Sequence, residues 1–117
     1  MRTILVVDDE PHILELYQKE LEEQGYQVRI TSDGEEALNI AKKEDISLVI
    51  LDIKMDKKDG LSTLVELKKT KKNLPVILNS AYSTYKSNFQ SWLADDYVVK
   101  SSNLDELKNK IEDLLTL

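Results

Sequence analysis

The chain has no cysteine, and its 117 residues include only three glycines and two prolines. Without cysteine, disulfide bonds and thiolate metal sites are excluded. So few glycines and prolines leave little room for long irregular loops, and most of the chain is expected in helices and strands. No apolar run approaches the ~20 residues that a transmembrane helix needs, so we predict no membrane insertion.

Extended basic tracts are absent as well, and the net charge is −6. Proteins that bind nucleic acid directly neutralise phosphates with clustered lysine and arginine, so we expect no direct nucleic-acid partner. The N-terminal residues lead straight into a strand-like run with no secretory signal, which favours a cytoplasmic location. With 41% apolar residues, the sequence predicts one domain over residues 1–117, with its own core and no output domain.

Short apolar runs alternate with amphipathic segments along the whole chain. The predicted strands are residues 4–7, 27–31, 48–51, 76–78 and 97–99. The predicted helices are residues 11–24, a segment opened by Asp33 and Glu36, one that follows Gly60, a polar segment over 83–91, and one opened by Asn103 and Glu106. This alternation predicts right-handed βαβ units and a parallel sheet with helices on both faces.

Polar side chains follow several of these strands at the point where the strand ends. They are Asp8, Asp9, Asp52, Ser80 and Lys100. Because parallel strands all point their carboxyl ends to the same edge of a sheet, these residues are expected to converge there. Open α/β sheets bind their ligands at that edge.

The predicted cluster contains oxygen ligands but no histidine or cysteine. Three carboxylates in one pocket repel each other unless a cation intervenes, and oxygen-only ligands favour Mg²⁺. A carboxylate beside Mg²⁺ can act as a nucleophile and form an aspartyl-phosphate. Lys100 would supply a fixed positive charge to a phosphoryl oxygen, and Ser80 would donate a hydrogen bond. The set predicts a phosphoryl-transfer site.

Four segments then carry a family resemblance that covers essentially the whole chain. They are Val7-Asp8-Asp9-Glu10, Leu51-Asp52-Ile53-Lys54-Met55 with Asp59-Gly60, Asn79-Ser80-Ala81, and Asp96-Tyr97-Val98-Val99-Lys100. In this order and spacing they resemble the receiver domain of a bacterial two-component response regulator. The resemblance implies a flavodoxin-like (βα)5 fold, a doubly wound five-stranded parallel sheet of order 2-1-3-4-5. It also implies a phosphorelay switch in which Asp52 accepts phosphate from a histidine kinase or histidine phosphotransfer protein.

The resemblance further assigns the metal ligands. Asp9 would ligate Mg²⁺ directly, Asp8 would act through water, and Asp52 and the backbone carbonyl of Lys54 would complete the protein ligands, with Mn²⁺ as an alternative ion. Lys100 matches the lysine of the family motif.

It also assigns a switch. Ser80 and Tyr97 match the switch pair, in which the hydroxyl moves toward the phosphate and the aromatic ring turns inward. The side chains of Lys54 and Tyr82 occupy positions that tune how water reaches the phosphoryl group. The response would be read by a downstream protein that the sequence does not identify.

Two departures from the family pattern keep an alternative open. Asp56 and Ser101 stand where receivers usually carry proline. The sequence therefore leaves the isomer of the Lys100–Ser101 peptide open, and it allows a pseudo-receiver that binds proteins without phosphotransfer. A phosphatase with an aspartate nucleophile is disfavoured, because Lys54 stands where such enzymes carry a second acid. We expect no enzyme beyond self-catalysed phosphorylation and dephosphorylation of Asp52.

Overall fold

The structure is a computed structural model, and it describes residues 2–53, 60–81 and 93–116. Five strands in this part of the chain form one parallel sheet of order β2-β1-β3-β4-β5. The strands are β1 Thr3–Val7, β2 Gln27–Thr31, β3 Leu48–Leu51, β4 Val76–Ser80 and β5 Asp96–Val99. The predicted fold class and strand order are confirmed.

Four helices connect or follow these strands within the described residues. They are α1 Pro11–Glu23, α2 Gly34–Lys43, α3 Gly60–Thr70 and α4 Asp105–Leu115. The helix predicted over residues 83–91 lies outside the described part of the chain. None of the described helices is both long and apolar enough to cross a membrane.

The sheet is sandwiched between two apolar layers because successive side chains of a strand point to opposite faces. On one face, residues such as Val7, Leu51 and Leu78 pack with α2 and α3. On the other face, residues such as Ile50 and Ile77 pack with α1 and α4. All four residues of β3 are buried, whereas β2, at the sheet edge, alternates exposed and half-buried positions. This pattern is typical of a doubly wound sheet.

Local signals place the helix ends, with two small corrections. Gly25 ends the first helical segment with φ +98°, a conformation that glycine adopts at low cost. Asp33 caps α2, and its carboxylate accepts from the backbone of Glu35 at 3.0 Å. Its own backbone N–H donates to Thr31 Oγ1 at 3.2 Å, rather than to the Glu36 side chain that a capping box would use. The last helix begins at Asp105, because Asn103 accepts from the Asp105 backbone at 2.8 Å and forms a turn before the helix.

Candidate functional site

Asp8 and Asp52 lie side by side at the carboxyl edge of the sheet. Each is the first residue after its strand, and the Asp52 backbone N–H donates to the carbonyl of Val7 at 2.9 Å. Their side chains point to the α1 and α4 face, two residues beyond buried Val6 and Ile50. Both carboxylates are buried, with 2% of Asp8 and 5% of Asp52 exposed. Two acids are thus held in a poorly solvated place by the continuation of two buried strands.

Lys100 follows β5 and reaches both acids across the end of β4. Its backbone N–H donates to the carbonyl of Ser80 at 2.7 Å, which fixes the residue just after β5. Its Nζ lies 2.8 Å from Asp8 Oδ2, 3.5 Å from Asp52 Oδ2 and 3.6 Å from Glu10 Oε1. No cis peptide occurs in the described part of the chain, so the Lys100–Ser101 peptide is trans, and proline at that position is not needed to bring the ammonium to the acids.

The charges of the cluster are only partly compensated. Burial, and then the charge of Asp8, raise the pKa of Asp52 to about 6, although Lys100 opposes this shift. Burial alone would lower the pKa of Lys100, but the hydrogen bond and charge of Asp8, with the charges of Asp52 and Glu10, outweigh burial and raise it. The site therefore keeps a firmly charged ammonium beside acids that still carry excess negative charge.

The acids in the loop between β1 and α1 fit a hard divalent cation. Carboxylate oxygens of Asp8, Asp9 and Glu10 come within 4.8 Å of one another. The Glu10 backbone N–H donates to Asp8 Oδ1 at 3.0 Å, which orients that carboxylate. These donors are all oxygens, and the raised pKa of Asp52 indicates that added positive charge would be favourable. The donor set fits Mg²⁺.

Ser80 and Tyr97 are close to this edge, on neighbouring strands. Ser80 was expected just after its strand, but it is the last residue of β4, because pairing with β5 continues through Ser80 and Val99. It is 1% exposed. Tyr97 is half-buried and packs against the apolar layer of α2 and α3. Their switch role stays a prediction. Lys54 and Tyr82 lie outside the described residues, and so does Asp56.

Gly60 anchors the start of α3 on the backbone just after Asp52, the candidate phosphoacceptor. Its N–H donates to the carbonyl of Ile53 at 2.7 Å. A Cβ at this position would lie 2.0 Å from the Asp52 carbonyl oxygen, which no structure tolerates without movement. Glycine is thus required because two backbone segments touch, and a side chain here would displace Asp52.

Three polar residues of this region were not predicted as site residues. Glu10 belongs to the acid cluster and contacts Lys100. Asn79 and Tyr17 form a buried hydrogen bond of 2.5 Å, from Asn79 Nδ2 to the Tyr17 hydroxyl. The sequence did contain a signal for Asn79, because it is a polar residue two positions after Ile77 on a strand that is buried on both faces. Tyr17 gave no such signal, because it lies on the apolar stripe of its helix.

Comparison with known proteins identifies the class of protein that this fold and edge define. Residues 4–112 match the family model described as the response regulator receiver domain. The chain belongs to this family.

Similar proteins and structures agree with the assignment. A probable transcriptional regulator ycf27 of Porphyridium aerugineum is 40% identical over 96% of this chain and 47% of its own length. The alkaline phosphatase synthesis transcriptional regulatory protein PhoP of Bacillus subtilis is 36% identical over 97% of this chain and 48% of its own length. The chain thus spans about half the length of these curated relatives.

Among solved structures, the response regulator TrrA of Thermotoga maritima, in complex with Mg²⁺ and BeF, has a TM-score of 0.96. It is 51% identical and the match covers 98% of this chain and 100% of that one. A receiver domain protein of Methanospirillum hungatei is 30% identical over 99% of this chain and 94% of that one, with a TM-score of 0.93.

Proposed function

We propose that this chain is the phosphoacceptor switch of a two-component phosphorelay, with Asp52 as the acceptor. One observation carries the proposal: Lys100 Nζ is held within 3.5 Å of the buried Asp52 carboxylate and 2.8 Å of Asp8, at the sheet edge where α/β folds bind ligands. The phosphoryl donor would be a histidine kinase or a histidine phosphotransfer protein. TrrA, 51% identical, has also been solved with the histidine kinase ThkA.

In the proposed reaction, an Asp52 carboxylate oxygen attacks the phosphorus of a phosphohistidine. A new O–P bond forms, the N–P bond breaks, and its electron pair stays on the histidine nitrogen. Asp52 must be ionised to attack, and a pKa of about 6 leaves it mostly ionised near neutral pH. Lys100 would balance charge on the phosphoryl oxygens, and the Ser80 hydroxyl would donate to one of them.

The metal would be held by Asp9 directly, by Asp8 through water, and by Asp52 and the backbone carbonyl of Lys54. Mg²⁺ supplies charge neutralisation on the phosphoryl group, and Mn²⁺ is an alternative ion. Asp8 and Asp9 are supported by their oxygen cluster, which also contains Glu10.

The output would be a change of shape that a downstream protein reads. Ser80 and Tyr97 would form the switch pair, while Lys54 and Tyr82 would tune the lifetime of the aspartyl-phosphate. Residues 1–117 would act as one receiver domain, in the cytoplasm and without direct nucleic-acid binding. Catalysis would be limited to the phosphorylation and dephosphorylation of Asp52 itself.

The test is the intact mass of the protein after incubation with acetyl phosphate, with and without Mg²⁺. We expect a phosphoryl adduct on the wild type that requires Mg²⁺ and is absent from Asp52→Asn. Asp45→Asn, an exposed acid before β3, serves as the matched control and should take up phosphate like the wild type. Equal uptake by Asp52→Asn would overturn the assignment.

A pseudo-receiver remains the alternative function. It keeps the fold as a protein-binding module and is suggested by Asp56 and Ser101 in place of proline. No adduct from acetyl phosphate or from phosphorylated histidine kinases, combined with no binding of Mg²⁺, would favour it.

A further inference from the structure

A carboxamide stands beside the phosphoacceptor in the sheet. The last pair between β3 and β4 is Leu51 with Leu78, so the next residues, Asp52 and Asn79, are neighbours. Both point to the α1 and α4 face, two residues beyond Ile50 and Ile77. Asp8 adjoins Asp52 in the same way, one residue beyond the pair of Val7 with Leu51.

One end of this carboxamide is bonded and the other is not. Asn79 is 1% exposed, and its Nδ2 donates to the Tyr17 hydroxyl at 2.5 Å. At the opposite end of the group, Asn79 Oδ1 is buried and accepts no hydrogen bond from any described residue. A buried acceptor without a donor costs free energy. We therefore expect Asn79 Oδ1 to accept a hydrogen bond in another state of the protein.

Among the described residues, Lys100 is the donor best placed to reach Asn79 Oδ1. The strand β4 lies between β5 and β3, so the Lys100 side chain passes the end of β4 on its way to Asp52 and Asp8. Its shortest contact is with Asp8, an acid of the cluster that fits Mg²⁺. A divalent cation there, together with the water through which Asp8 would hold it, competes for the same oxygens and repels the ammonium. An ammonium has three N–H donors, and when half-buried it needs new acceptors.

We propose that Asn79 Oδ1 receives Lys100 when Mg²⁺ displaces its ammonium from Asp8, and that Tyr17 holds the carboxamide in the orientation that makes this exchange favourable. Asn79 and Tyr17 are thus positioning residues. This inference rests on the proposed function only in taking the acid cluster as the Mg²⁺ site, and it needs no phosphoryl transfer.

The test is the dissociation constant of Mg²⁺, measured by isothermal titration calorimetry on the whole chain. Asn79→Leu should weaken binding about tenfold, because the displaced ammonium loses a hydrogen bond to a neutral acceptor. In a Lys100→Met background, Asn79→Leu should change the constant less than twofold, since no ammonium remains to be received. Tyr17→Phe should weaken binding in the wild-type background and add nothing to Asn79→Leu.

Ile77→Val lies two residues before Asn79 on the same face of the sheet, so it controls for loosened packing. It should leave the dissociation constant of Mg²⁺ unchanged. Urea unfolding of every variant identifies any that fails to fold. An equal effect of Asn79→Leu with and without Lys100 would overturn the proposal, as would no effect in either background or no Mg²⁺ binding by the wild type. The calorimetry does not depend on phosphoryl uptake. A wild type that binds Mg²⁺ but takes up no phosphate in the mass measurement would therefore refute the proposed function and leave this test intact.

Discussion

Lys100 is paired more closely with Asp8 than with the phosphoacceptor candidate: its Nζ lies 2.8 Å from Asp8 Oδ2, against 3.5 Å from Asp52. The ammonium thus occupies the side of the cluster where a metal ion would bind. If Mg²⁺ binds there as proposed, it competes with Lys100 for Asp8, and the stability of the protein should depend on which cation is present.

Replacing Lys100 should destabilise the protein in the absence of divalent ions. In Lys100→Met, two buried carboxylates lose their counter-charge, and removing one partner of a buried pair costs about 3–5 kcal/mol. Urea unfolding in EDTA measures the loss, and added Mg²⁺ should recover more of it than in the wild type. Lys108→Met is the control, because Lys108 pairs with Glu20 at 2.7 Å on the surface and its loss should matter much less.

The raised pKa of Asp52 predicts how stability changes with pH. Because the folded state holds this proton up to about pH 6 and the unfolded chain releases it near its ordinary value of 3.8, stability falls as pH rises between these values. Asp52→Asn removes this loss, so the variant should gain roughly 2–3 kcal/mol over the wild type near pH 7.5 and little near pH 4. Urea unfolding without divalent ions, at a series of pH values, measures the difference. A constant difference across the series would contradict the predicted titration.

Mg²⁺ should stabilise the folded protein through the acid cluster. A ligand that binds only the folded state at about 100 times its dissociation constant adds about 2.7 kcal/mol. The melting temperature of the wild type should therefore rise with MgCl2, and Asp9→Asn should abolish most of the rise. Glu35→Gln, an exposed acid on the first turn of α2, should behave like the wild type. A rise of equal size in Asp9→Asn would place the ion elsewhere.

The two glycines with distinct roles should respond differently to alanine. Gly60→Ala places a Cβ 2.0 Å from the Asp52 carbonyl, so the backbone must move, at a cost of about 1–3 kcal/mol. It should also slow phosphoryl uptake, because Asp52 moves with its backbone. The Cβ of Gly25→Ala meets no atom within 4 Å, so the substitution costs about 1–2 kcal/mol through its positive φ alone. Uptake should stay at the wild-type rate in Gly25→Ala, and equal slowing in both variants would argue against a local effect.

The sequence carried most of the fold because its signals are local and repeated. Buried runs such as Leu48–Leu51 and the amphipathic helices around them leave few arrangements other than a doubly wound parallel sheet. Strand ends were predicted less well, and Ser80 lies within β4 because pairing with β5, a neighbour distant in sequence, extends that strand. The start of the last helix moved to Asp105 because a local turn competed with the cap.

The candidate site was likewise determined in part by the sequence and in part by the tertiary structure. The sequence determined which groups meet at the carboxyl edge of the sheet, since Asp8, Asp52 and Lys100 each follow a parallel strand. Only the tertiary structure decided how they pair: that Lys100 contacts Asp8 most closely, and that Asn79 and Tyr17 bond in the core behind Asp52. Register between strands and the packing of α1 on the sheet fix these contacts. They join residues far apart in the chain, and no local pattern encodes their distances.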